Sequence, residues 1–171
     1  MLPGTEIGTF DRRSVGTPVL REGKGDLPQS AKQLLSGLAD YIDYPEREVQ
    51  KVKTNGYAPQ VRSAAGAQAD AVSQQAEFSE SNTLKTQTYT CYREDGSAVT
   101  FAALKRESDF DVRSGMELTP PDEFLVFDDD DSITSRARLN SYVYVAMIIP
   151  QDDVRPEMIA ACEQLVGAEG S

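Results

Sequence analysis

Apolar positions are spaced differently in the two halves of this chain. Before residue 86 the one sustained helical stripe is Leu34, Leu35, Leu38 and Ile42. Ser30 can cap that helix, and Pro45 stops it by holding Tyr44 away from helical geometry. Residues 1–29 carry glycine and proline at short intervals without a period, which predicts an extended arm with room for one short strand. Residues 46–53 fit a short helix or a strand, Asn55-Gly56 is a turn signal, and the Ala/Gln/Ser-rich run 63–75 fits a helix or a linker.

From residue 86 onward the pattern turns to strands. Residues 86–93 (TQTYTCYR) are rich in threonine and tyrosine, Asp95-Gly96 marks a turn, and 98–105 (AVTFAALK) reads as the return strand. Phe124 to Phe127 suggests a further short strand, and 139–149 (LNSYVYVAMII) has the two-sided apolarity of a central strand. After Pro150, acids in a first turn, Pro156, a stripe of Met158, Ile159, Cys162, Leu165 and Val166, and Gly167 predict a C-terminal amphipathic helix. The expected fold is α+β in a single domain: an antiparallel sheet with that helix packed on it, preceded by the arm and the short helix.

Charge sharpens this picture in one place. The net charge of the 171-residue chain is −11, yet residues 107–131 hold ten acids against Arg113 alone, so the rest is close to balanced. Repulsion among Asp128, Asp129, Asp130 and Asp131 and their neighbours predicts an exposed acidic loop. Asp128–131 lacks the alternating ligands and the glycine of a calcium loop, so no metal site is expected there.

Catalytic chemistry finds little support. There is no histidine, which removes His-based triads, His-ligated metals and imidazole proton shuttles. Cys91 and Cys162 read as small buried hydrophobes, and the short glycine repeats lack the strand-then-helix context of a phosphate loop. Neither an enzyme, a cofactor nor a small-molecule substrate is expected. The longest apolar run, 143–150, is far short of the ~20 residues that cross a bilayer, so no membrane partner is expected and the opening residues do not read as a signal peptide.

The block Arg136-Ala137-Arg138-Leu139-Asn140-Ser141 running to Ile148-Ile149-Pro150, with the expected helix after it, resembles the coat proteins of single-stranded RNA bacteriophages. The hairpin Thr88-Tyr89-Thr90-Cys91-Tyr92-Arg93, turn, Val99-Thr100-Phe101 is similar to that family's central hairpin. The resemblance covers about residues 86–167 and implies a virion shell built from dimers, each helix lying across the partner's sheet. It implies genomic RNA on the sheet, touched by Thr90, Tyr92, Thr100, Arg138 and Asn140, and a dimer interface at Met158, Ile159, Cys162 and Leu165. The chain departs from the family in Ala102, where a basic residue is common, and in its long N-terminal region. The competing reading is a small, cytoplasmic acidic binding protein that occupies a basic partner in the manner of a nucleic-acid mimic.

Overall fold

The computed structural model of the chain describes residues 7, 9, 20–21, 30–48, 53, 56–152 and 155–171. Its elements are β1 (Leu20–Arg21), α1 (Ala31–Tyr41), α2 (Tyr57–Val72), β2 (Ala76–Tyr92), β3 (Ala98–Val112), β4 (Arg136–Ile149) and β5 (Glu157–Gly170). The strands form one antiparallel sheet in chain order, so each strand lies beside its sequence neighbour. The fold class is therefore α+β, as the sequence predicts.

Ser30 caps α1 through a capping box: its hydroxyl accepts the Gln33 N–H, and the Gln33 side chain returns to the Ser30 N–H. The stripe Leu34, Leu35, Leu38 and Ile42 then sinks into the sheet, with none of the four more than 4% exposed. Burying four such side chains contributes about 1.5–3 kcal/mol each. α2 follows Gly56, which takes φ 91° at the cap position. It is alanine-rich, and Ala58 and Ala65 are its buried residues.

Both helices cover the same face of the sheet. Along β3 that face carries the even positions, Ala102, Leu104, Arg106, Ser108 and Phe110, all buried. The odd positions from Phe101 onward form a bare face, covered by neither helix among the described residues: Phe101 is exposed there and pairs with Tyr89, which is exposed too, whereas Val99 is buried. The turn between β2 and β3 is built as the sequence predicts, with Gly96 at φ 80° and Ser97 bonded back to the Asp95 carboxylate.

Three expectations are corrected. The C-terminal segment is a strand, not a helix. Two bulges explain the misleading spacing: Ile159 and Val166 are extra residues facing no partner of their own on β4. Each bulge advances the inward face by one position, so inward residues fall at 158, 161, 163, 165, 168 and 170, and the apolar stripe mixes inward Met158 and Leu165 with bulged Ile159 and Val166 and outward Cys162. Without that helix, the swapped helix-on-sheet dimer has no element to form it. The second correction is at 124–127, a turn in which the Phe124 carbonyl accepts the Phe127 N–H; Phe124 is buried while Val126 is 77% exposed. The third concerns the acidic stretch, whose first six residues belong to β3. The loop from Arg113 onward is pinned: Leu118 and Ile133 pair as a β-bridge, and Phe124 and Ile133 insert into a hydrophobic cluster with Phe78, Phe110 and Ala137.

Candidate functional site

Two features stand out once the strands are registered. The first lies under the helices. One apolar cluster, built on α1, includes Leu104, Val143, Val145 and Met147; a second, beneath α2, includes Phe78 and Phe110. Between them a belt of polar side chains crosses the buried face, Glu80 and Asn82 on β2, Arg106 and Ser108 on β3 and Ser141 on β4, and reaches the exposed Glu163 on β5.

The belt is a connected network. Arg106 donates from Nε to Asn82 Oδ1 at 3.0 Å and from Nη1 to Glu163 Oε2 at 2.8 Å. Its Nε also lies 3.3 Å from Glu80 Oε1 as an ion pair, and Ser108 Oγ donates to Glu80 Oε2 at 3.2 Å. Asn82 continues the chain to Asp43, whose Oδ1 accepts the Asn82 backbone N–H at 2.7 Å. Burial pushes the Glu80 carboxyl above its ordinary value, against the pull of Arg106 and Ser108. Asp43 is raised by burial as well, with the Asn82 bonds opposing. Arg106 Nη2 and Glu80 Oε1 make no hydrogen bond and are sealed from solvent, Oε1 lying in the ion pair with Arg106 Nε. They belong to side chains 9% and 7% exposed.

Above the belt α2 stands clear of the sheet, leaving a cleft of about 510 Å³. Its walls are apolar: Val61, Ala65 and Val72 on α2, Phe110 and Leu139 on the sheet, and Phe124 from the pinned loop. Arg106, Glu80 and Ser108 form the polar part of its lining.

The second feature is the bare face and its edges. Tyr89, Phe101 and Tyr144 are exposed at one end, with Tyr142 beside Tyr144 at 6.4 Å between ring centroids. The other end is ionic. Asp109 Oδ1 accepts from Arg138 Nε at 2.8 Å and from Arg136 Nη2 at 2.7 Å. Desolvation works against ionising Asp109, but these arginine bonds outweigh it and hold its carboxyl low. Of the two sheet edges, β2 is covered by β1 at Leu20 and Arg21 and by Tyr44, which exchanges both backbone bonds with Glu80 at 2.8 and 2.9 Å. Along β5, fourteen residues long, no strand of the described residues pairs with the outer side.

The five residues implied to touch RNA do not share a surface. Thr90, Tyr92 and Thr100 are buried on the helix-covered side, where the two threonine hydroxyls bond each other at 3.1 Å. Arg138 and Asn140 lie on the bare face, and Arg138 is held by Asp109. Of the implied interface, Met158 and Ile159 are buried within the chain, Leu165 is half-buried, and Cys162 is exposed on the bare face opposite Tyr144. Cys162 is thus no buried hydrophobe; Cys91 is half-buried, its thiol pushed up by desolvation. Asp129, Asp130 and Asp131 are exposed, whereas Asp128 accepts the Gly170 N–H at 2.8 Å and fastens the loop to the end of β5.

Reading the sequence missed Glu80, Asn82, Arg106 and Glu163. The available signal was the continued alternation of 76–84 and 104–112, in which the inward positions switch from apolar to polar. Among the described residues no cluster of acidic and cysteine side chains could hold a metal, and no helix is long and apolar enough to cross a membrane. Comparison with protein-family models, curated proteins and solved structures finds no match.

Proposed function

We propose that this protein is a structural subunit that assembles with copies of itself into a closed shell, two chains joining through β5. The observation that carries this reading is the contrast between the edges. The β2 edge is blunted by β1 and the 43–44 segment, while β5, fourteen residues with no lysine, arginine or proline, has no strand on its outer side among the described residues, the Gly170 N–H being taken by Asp128. An edge of that length with no strand against it is a template for another strand. Two-fold pairing of β5 with β5 would give one ten-stranded sheet, with helices on one side and the bare face on the other. The resemblance to RNA-phage coat proteins adds support through the hairpin and the late central strand.

Nucleic acid, in this reading, lies on the bare face and is held mainly by stacking on Tyr89, Phe101 and Tyr144. Phosphate pairing contributes less, because Arg136 and Arg138 are already engaged by Asp109.

Size-exclusion chromatography with light scattering, read at 260 and 280 nm, tests the proposal. Large particles carrying nucleic acid are expected from the wild-type chain. Gln164→Lys combined with Val166→Lys puts like charges along the edge and should yield small species. A wild-type monomer free of nucleic acid across a range of salt overturns the reading and returns attention to the acidic loop.

A further inference from the structure

We propose that the cleft between α2 and the sheet is a binding site for a small uncharged apolar molecule, and that it excludes acids. Such a site does not depend on assembly and stands on the cleft's own construction.

The walls set the body of the guest. The cleft of about 510 Å³ lies in the size range of small-molecule sites, and its lining is mainly apolar. It exists because α2 turns Ala65 toward the sheet where α1 has leucines. Phe78, Phe110 and Phe124 put three phenyl rings into the lining, the first two 5.0 Å apart between centroids, so an aromatic guest is well matched. An apolar space with few polar partners to offer holds water poorly and takes apolar guests instead.

The exclusion of acids follows from how the charged groups of the lining are spent. They are two carboxyls, Glu80 and Glu163, and the guanidinium of Arg106, the lining's one cation among the described residues. Arg106 gives Nε to Asn82 and Nη1 to Glu163 and is ion-paired with Glu80, while its Nη2 is sealed even from water. An entering carboxylate therefore meets no cation that it can reach, and it adds a third acid beside the two already there. Of the three charged groups only Glu163 is exposed, so the charge that a guest does meet repels an anion. An apolar guest without charge leaves this network as it is and escapes the cost of taking an ion out of water.

Titrating the full chain with the uncharged dye N-phenylnaphthylamine, and displacing the dye with naphthalene or naphthoate, tests this. The dye should bind saturably at one site per chain, naphthalene should displace it, and naphthoate should compete at least about tenfold more weakly. Ala65→Leu from the helix side and Ala161→Leu from the sheet side each put a larger side chain into the cleft and leave the exposed aromatic end of the bare face intact. Each should weaken dye binding at least about tenfold while keeping the wild-type circular dichroism. No saturable binding, naphthoate competing as well as naphthalene, or a folded chain of either variant that binds the dye as the wild type does would each overturn the proposal.

Discussion

The two helices lie on the same face of the same sheet and do opposite things there. α1 brings Leu34, Leu35 and Leu38, followed by Ile42, and closes a dry core over Leu104, Val143 and Met147. α2 brings alanines, and beneath it the sheet carries glutamate, asparagine, arginine and serine at inward positions. Side-chain size on the helix and polarity on the strand act together. Where both are apolar and large, the fold is sealed; where the helix is small-sided and the strand polar, space over a polar network remains.

The largest expected effect comes from the polar belt. Arg106→Leu strips the charge partner from buried Glu80, a loss of about 3–5 kcal/mol for a broken buried pair, read as the shift in urea midpoint. Leu38→Ala, in the sealed half, should cost about 3 kcal/mol through lost burial and the cavity left behind. An equal penalty from Ala65→Leu would erase the contrast between the helices. Added volume should instead be tolerated there within about 1 kcal/mol, because the cleft accepts it.

A smaller effect sharpens the same comparison through pH. Burial raises Glu80 above its ordinary value of 4.5, so the folded chain binds that proton more tightly than the unfolded chain. This contribution favours folding in acid and is lost as pH rises from the unfolded value through the folded one. Glu80→Gln removes it, so the variant's unfolding free energy should fall less steeply with pH over that window. A slope identical to the wild type's would show that the belt is not desolvated.

Legibility in the sequence divides along the same line. α1 with its Ser30 cap, the Asp95-Gly96 turn and the β4 strand through Ile149 were readable, because there local propensity and packing agree. β2 and β3 were expected at 86–93 and 98–105 but run from Ala76 and to Val112. The missing parts are those whose inward positions are Phe78, Glu80, Asn82, Arg106, Ser108 and Phe110, where polar residues interrupt the apolar alternation. The blind spot of the sequence and the floor of the cleft are the same residues. β5 was hidden by its bulges at Ile159 and Val166, and the pairing of Asp109 with Arg136 and Arg138 by a separation of more than 25 residues.

The edge of β5 carries the functional account, and amide hydrogen exchange at low and high protein concentration tests it most directly. The account predicts that the β5 amides bonded neither to β4 nor to Asp128 exchange freely when dilute and become protected on assembly, while the β2 edge at Glu80 and Asn82 is protected throughout. Outward β5 amides that exchange at the same fast rate in concentrated, assembled protein would contradict it.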